Sequence, residues 1–528
     1  MSSSLAQRAA RWQRIQQKPL DLLVVGGGIS GAGVLREAAR RGWHSLLIEQ
    51  QDFAWGSSSR SSKLVHGGLR YLAQGDLRTT WQSVRERQRL MQEAPALITA
   101  QSFMFAMVPG RKPGRHTMKA GLALYDWMAG EHGRAELSLA EARQLAPGLA
   151  PQGMIGALLY RDAKTDDARL VMRVLQEARQ DGGLMLNYVR AEAPVLQQGQ
   201  VVGLQVRDAL TGQSVELKAS AVINATGVWA DGLRAPLQRA PLLRPLRGSH
   251  LIVPFWRLPV AQSISLMHPQ DGRPVFFYPW EGCTLIGTTD LDHQADLSQE
   301  ASITPAEVDY LLAAVNDQFP DACLCVADVL SCYAGVRPVV DDGQAAPSAV
   351  GRDHVVMSEQ GLITLTGGKL TTFRRMALDA LALAARQRGL AMHDDGAAVF
   401  RPEAALPPSL DACVRQRLKA RYGARALAVL QDSQPGDLEP VAGTDTLWLE
   451  LRQALRAEDV VHLDDLLLRR VRLGLLLPQG GLGLPGFIDR VKALCQQYLG
   501  WSEDDWDLAL GRYRDIIRRH YALPGSMT

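Results

Sequence analysis

Asp21-Leu-Leu-Val-Val25 is a short apolar run that ends in glycines. A helix-compatible stretch from Ile29 to Arg41 follows, and then a second apolar run from Ser45 to Glu49. Apolar run, glycine turn, amphipathic stretch and apolar run, in that order, predict a β-α-β unit with parallel strands. Farther along, Leu186 to Val189, Val201 to Arg207 and Val215 to Leu217 read as strands, with Thr211-Gly212 as the turn between the last two. Ala221-Val-Ile-Asn224 reads as another buried strand, and together these segments extend the first unit.

From about 240 to 350 the pattern changes to aromatic and β-branched runs, such as Val275-Phe-Phe-Tyr278 and Thr284-Leu-Ile286, split by Glu281-Gly282. That pattern predicts a separate antiparallel sheet. Arg401-Pro-Glu-Ala-Ala-Leu-Pro-Pro408 reads as a linker, because adjacent prolines disfavour helix and sheet alike. Beyond it, stretches such as Leu447 to Leu455 and Val460 to Leu477 mix apolar residues with Arg and Asp at spacings near 3.6 and predict helices that cap the rest. The expected architecture is therefore α/β plus α: a Rossmann-like nucleotide domain, an antiparallel-sheet substrate domain and a C-terminal helical domain. The boundaries are drawn at 1–19 for a basic tail; 20–90, 145–240 and 351–395 for the discontinuous nucleotide domain; 91–144 and 241–350 for the substrate domain; and 396–528 for the helical domain.

Composition narrows the partners. With 528 residues, 46% hydrophobic and 21% charged, and a net charge of +3, the chain has an ordinary globular balance and no basic field or reader motif for nucleic acid. Six cysteines (Cys283, Cys323, Cys325, Cys332, Cys413, Cys495) make no C-x-x-C pair and no metal-ligand spacing, so no metal is expected and a reducing, cytoplasm-facing compartment fits. Cys323 and Cys325 are expected to be small buried hydrophobes. No run of 18 apolar residues is present, so no membrane-spanning helix is expected. The first 19 residues carry Arg8, Arg11, Arg14 and Lys18 with no acid, while Leu5, Trp12 and Ile15 share roughly one helical face. This is a membrane-surface pattern, with a soluble tail or a targeting peptide as the alternatives.

Gly26-Gly-Gly28-Ile-Ser-Gly31 matches G-x-G-x-x-G: the first glycine permits the strand-to-helix turn, the second admits a pyrophosphate and the third lets helix and strand pack closely. The same pattern recurs at Gly481-Leu-Gly483-Leu-Pro-Gly486, inside the helical region and with no acid ending a second strand. The first copy has that acid in Glu49, whose carboxylate is placed to accept both hydroxyls of an adenosine ribose. No second fingerprint or redox cysteine pair stands in mid-chain, which favours FAD over a pyridine nucleotide as the bound dinucleotide.

After Glu49 comes the polar stretch Gly56-Ser-Ser-Ser-Arg-Ser-Ser-Lys63-Leu-Val-His66-Gly-Gly68-Leu-Arg70-Tyr71-Leu, rich in hydroxyls, amides and cations that suit phosphates. Together with Val222-Ile-Asn-Ala-Thr-Gly227, Gly335-Val-Arg337-Pro and Thr366-Gly-Gly368-Lys369-Leu-Thr-Thr372, it closely resembles the FAD-dependent glycerol-3-phosphate dehydrogenase family. Asp166-Asp-Ala-Arg-Leu170, Gly248-Ser-His250 and Arg469-Arg-Val-Arg-Leu-Gly-Leu-Leu-Leu477 match as well; Val228 and Val339 replace a proline and a leucine that often stand there. The resemblance implies a fold like that of the D-amino-acid oxidase group and a peripheral enzyme on the inner face of the cell membrane. It also implies oxidation of sn-glycerol 3-phosphate to dihydroxyacetone phosphate, with electrons passed to quinone. A homodimer is among the assemblies it allows.

Flavin oxidation of a secondary alcohol needs the cofactor, a base for the hydroxyl proton and an anchor for the substrate. Arg70 and Arg337, with Tyr71, are the anchor candidates, because guanidinium forks match phosphate oxygens. His66 and His250 are the base candidates, and the residues leave the choice between them open. Lys369 is placed to stabilise negative charge on the reduced cofactor or to bind substrate. The cofactor-binding set is Gly26, Gly28, Gly31, Glu49, Ser58, Ser62, Lys63, Gly67, Gly68, Ala225, Gly227, Gly368, Lys369, Leu370 and Thr371. Asp166-Asp167 reads as a helix start and Asp341-Asp342 as a loop. An oxidase that uses dioxygen, and a flavin-binding protein without turnover, remain as alternatives. Basic Arg111-Lys112-Pro-Gly-Arg115, followed by apolar Gly121-Leu-Ala-Leu-Tyr125-Asp-Trp127, suits a bilayer-facing edge and favours quinone.

Overall fold

Leu22–Val25 and Ser45–Ile48 are buried at every position, as strands covered on both faces must be. They pair in parallel, Leu22 opposite Ser45 and Val25 opposite Ile48. The computed structural model describes residues 3–73, 75–341, 343, 354–390, 392 and 394–525; of the side chains, those of 3–7, 16, 70 and 73 also lie outside the described residues. Around these two strands runs a six-stranded sheet in the order His354–Glu359, Leu362–Gly367, Val222–Asn224, Leu22–Val25, Ser45–Ile48, Leu184–Leu186. Only its first pairing is antiparallel. The crossover helix Ile29–Ala39 lies on one face between the helices Asp167–Gln180 and Phe373–Gln387.

The expected strand over Leu186 to Val189 is in fact the junction of two. Leu184–Leu186 ends in the parallel sheet, Tyr188 turns the chain at φ 56°, and Val189–Gln197 opens a separate three-stranded antiparallel sheet with Gln200–Asp208 and Ser214–Lys218. A large second sheet contains the long pair Leu243–Pro254 and Ser331–Val340 and is antiparallel apart from the parallel pairing of Ser263–Met267 with Thr99–Met107. The C-terminal region is helical, as the spacing predicts, and packs on this sheet: Leu466, Leu467, Leu475 and Tyr513 share a core with Ile252, Tyr278 and Tyr333.

The seam between that region and the nucleotide domain is charged. Asp52 accepts from Arg469 Nε at 2.6 Å and from both terminal nitrogens of Arg470 at 2.7 Å, with all three side chains buried. Arg169 pairs with Glu458 at 2.6 Å and Arg421 with Asp166 at 2.7 Å. Burial alone would raise the Asp52 carboxyl, but Arg470 and Arg469 outweigh it and hold the group below the usual range.

Several expectations change. The N-terminal segment is a helix, Ser3–Gln16, but its amphipathic face is turned inward: Ile15 joins the core beside the parallel sheet, with Trp12 packed against it. Arg8 Nε and Trp12 Nε1 both donate to Asp208, at 2.9 and 2.8 Å, and Arg11 pairs with Asp459. The pattern that suggested a lipid surface is spent on the protein's own body; the Leu5 side chain lies outside the described residues. The second glycine motif follows no strand, and Gly486 instead precedes the helix Phe487–Leu499. Asp166 caps the helix Asp167–Gln180 as expected, accepting from Arg169 N at 3.2 Å, whereas Asp342 lies outside the described residues. Cys323 and Cys325 are both exposed and only Leu324 between them is buried. The segment is not a strand but the link between the short turns Pro320–Ala322 and Val326–Asp328, with Cys323 in the left-handed region at φ 43°.

Candidate active site

The glycine loop is built by close approach. At Gly26, φ is +111° and a Cβ would fall 2.4 Å from Ala225 O; at Gly31 a Cβ would fall 1.9 Å from Gly26 O. Neither position admits a side chain, and the helix N-terminus is thereby drawn against the ends of two parallel strands. Ser58 accepts from Ile29 N at 3.0 Å and so satisfies one donor of that terminus. At the end of the neighbouring strand, Glu49 accepts from Gly27 N at 2.6 Å and from Gln51 N at 2.9 Å. Burial pushes its carboxyl up to about 7, against the lowering effect of those two donors.

From this loop a cavity of about 1510 Å³ runs to the large sheet. Gly26, Gly28, Glu49, Ser58, Ala225 and Gly227 line its first part. At the far end are Ser62, His66, Gly68, Tyr71, Arg337 and the segment Gly368-Lys369-Leu370-Thr371. The volume exceeds the roughly 300–1,000 Å³ of an ordinary small-molecule pocket and suits an elongated dinucleotide with a substrate beyond it.

Two walls meet at the far end. On one, Lys369 Nζ sits 3.4 Å from the centre of the Tyr71 ring and donates to Ser83 Oγ at 3.1 Å, while Thr371 Oγ1 donates to the His66 carbonyl at 3.1 Å. On the other, Arg337 on the strand Ser331–Val340 pairs with Asp290 at 2.7 Å and donates to Thr288 Oγ1 at 3.0 Å. Gly248, opposite Gly335 on the paired strand, leaves the room: a Cβ there would lie 2.3 Å from Arg337 Nη2. Thr288 and Asp290 escaped the sequence reading. Their signal is the polar Thr288-Thr-Asp290 directly after the buried strand Cys283–Gly287, the strand-end position that singled out Glu49.

Other expected site residues lie elsewhere. His250 does not line the cavity; it is 1% exposed, stacked on Tyr333 at 4.7 Å, with its Nε2 2.9 Å from the Ser62 hydroxyl that does. Burial, then the charges of Arg337 and Lys63, push its imidazole well below the usual range. Lys63 is fully buried and points away from the cavity, its ammonium 3.0 Å from Asp167 Oδ1 and over the rings of Trp280 and Tyr333. Burial lowers it to about 8, with Arg472 adding to the effect. Gly67 and Gly31 are not among the lining residues: Gly67 donates to Asp162 at 3.0 Å, and Gly31 packs against Gly26. The Arg70 side chain lies outside the described residues. Among the described residues no cluster of three His, Cys, Asp or Glu groups is placed to hold a metal ion.

Comparison with known proteins agrees with this geometry. Residues 21–374 match the model of the FAD dependent oxidoreductase family, and residues 363–506 match that of the C-terminal domain of alpha-glycerophosphate oxidase. An aerobic glycerol-3-phosphate dehydrogenase of Staphylococcus haemolyticus is 32% identical over 504 residues, 89% of this chain and 90% of its own. An alpha-glycerophosphate oxidase of Streptococcus pyogenes serotype M6 is 36% identical over 445 residues, 72% of each chain. The crystal structure of the glycerol-3-phosphate dehydrogenase from Bacillus halodurans, complexed with FAD, superposes with a TM-score of 0.77 at 28% identity and covers 97% of this chain and 96% of its own. FAD is the cofactor for which the glycine loop and the cavity are built. In sequence, domain content and fold, the chain belongs to the family of FAD-dependent glycerol-3-phosphate dehydrogenases and alpha-glycerophosphate oxidases.

Proposed function

We propose that the protein oxidises sn-glycerol 3-phosphate to dihydroxyacetone phosphate and delivers the electrons to a quinone at a membrane surface. When bound, FAD supplies the acceptor for the hydrogen that leaves the secondary carbon. The chain's own residues do the rest. Arg337, fixed by Asp290 and Thr288, offers a guanidinium to the substrate phosphate at the wall where Gly248 leaves space. Lys369, held over Tyr71, sets a second positive charge across the same space. His66 takes the hydroxyl proton, since of the two histidines only it lines the cavity. His250 acts at one remove by fixing the Ser62 hydroxyl.

One observation carries the choice of quinone over dioxygen. The helix Arg115–Ala129 starts at the cavity, where Lys112, Gly114, Thr117 and Met118 line it, and exposes Leu124 and Trp127, the latter 68% accessible and packed on Trp81. Exposed Lys112, Arg115 and Lys119 precede that apolar edge along the chain, Arg115 and Lys119 both paired with Glu136. An apolar rim with cations beside a cavity mouth suits an interfacial enzyme whose acceptor arrives from lipid. Among the described residues no helix is long and apolar enough to cross a membrane, so attachment is peripheral in this reading. The test is anaerobic reduction with glycerol 3-phosphate, followed by stopped-flow reoxidation with a quinone analogue or with air. Bleaching of the flavin and faster reoxidation by quinone are expected. No bleaching removes the substrate, and faster reoxidation by dioxygen makes the protein an oxidase. His66→Asn should retain FAD and lose the bleaching step.

A further inference from the structure

After the helix Pro305–Gln318 the chain makes a short turn over Pro320–Ala322 and then passes Cys323-Leu-Cys325. The backbone of Leu324 is clamped on both sides by one side chain: Asn316 Nδ2 donates to Leu324 O at 3.0 Å and Asn316 Oδ1 accepts from Leu324 N at 2.9 Å. The Leu324 side chain is 4% exposed, within the core that also holds Phe319 and Val315. With the middle residue anchored by backbone and side chain, both flanking thiols stand on the outer face. They share surroundings as well. Cys325 Sγ accepts from Asp328 N, Asp328 pairs with Arg257 at 2.5 Å, and the Arg257 guanidinium lies within electrostatic reach of both sulfurs.

We propose that Cys323 and Cys325 form a redox-modification site, a surface dithiol that hydrogen peroxide closes to an intrachain disulfide. Two Cα atoms two residues apart are separated by at most about 7 Å, and a disulfide takes about 4.4–6.8 Å. Cys323 Sγ donates to Pro320 O at 3.3 Å and Cys325 Sγ accepts from Asp328 N, so closure requires both thiols to leave these local contacts. In the first step one sulfur attacks peroxide, the O–O bond breaks, and a sulfenic acid and water form. In the second step the other sulfur displaces the sulfenic oxygen as water, so that two thiols and one peroxide give one disulfide and two waters. Among the described residues no group of three or more His, Cys, Asp or Glu is placed to hold a metal ion, and Asp328 beside the pair is engaged by Arg257. The proposal does not depend on which acceptor oxidises the flavin.

The six cysteines supply their own controls: Cys283, Cys332 and Cys495 are buried and Cys413 is exposed alone. Thiol titration of the native holoenzyme should count Cys323, Cys325 and Cys413. After one equivalent of hydrogen peroxide it should count Cys413 alone, with the peptide that carries both other cysteines lighter by two hydrogens, and dithiothreitol should restore the original count. Cys325→Ser should instead leave a sulfenic acid on Cys323 that dimedone traps. Three thiols still titrating after peroxide, oxygen added separately to each cysteine of the wild-type pair, or a disulfide joining two chains would each overturn the proposal.

Discussion

Glu49→Gln is expected to push the stability of the empty protein and its affinity for FAD in opposite directions. Burial raises the Glu49 carboxyl from its ordinary value to about 7. Fully expressed, that displacement is worth about 3 kcal/mol, and water in the cavity that Glu49 lines reduces it to about 1–2 kcal/mol. An acid raised in the folded state stabilises the fold below its unfolded pKa, and that contribution is lost as the pH rises from about 4.5 to about 7. Above pH 7 the empty protein therefore carries a penalty that glutamine removes. Urea unfolding of the apo-protein should show the variant more stable than wild type by about 1–2 kcal/mol at pH 8, with the difference shrinking as the pH falls from about 7 toward 4.5. We propose that the same carboxylate accepts both ribose hydroxyls of FAD, so that losing one charge-assisted bond of about 1.5–3 kcal/mol weakens FAD by about 10–100-fold at pH 8. Fluorescence titration of apo-protein with FAD reads this directly. An apo variant no more stable than wild type at pH 8, or an unchanged FAD affinity, would refute the reasoning.

Two further substitutions probe the far wall and the seam. Gly248→Ala places a Cβ 2.3 Å from Arg337 Nη2 and must displace the guanidinium. A fall of about 100-fold in kcat/KM with full FAD content is expected, and unchanged kinetics would remove Arg337 from the substrate wall. Asp52→Asn leaves Arg469 and Arg470 without the carboxylate that both of them share, at a cost of about 3–5 kcal/mol. Because that carboxyl is held low, its contribution is present above the ordinary Asp pKa of about 3.9 and is lost as the pH falls through the folded value. A lowered urea midpoint at pH 7 is the check, and an unmoved one contradicts the assignment.

The nucleotide half of the molecule was readable because its determinants are local. A strand, a glycine turn, a helix and a strand-end acid lie within about thirty residues of one another, and their spacing leaves little freedom in where Gly26, Gly31 and Glu49 end up. Only the tertiary structure decided which polar residues face the cavity. Lys63 stands in a phosphate-like stretch, yet its ammonium pairs with Asp167, more than a hundred residues away. His66 and His250 are equal as sequence; the pairing of Leu243–Pro254 with Ser331–Val340 stacks His250 on Tyr333 and leaves Ser62 between it and the cavity. Trp12 and Ile15 form an amphipathic face whose sequence does not say whether lipid or protein covers it, and here Asp208 and the core beside the parallel sheet do. Periodicity records which side of an element is apolar. What that side meets is fixed by residues far along the chain, and so is the solvation of every ionisable group on it.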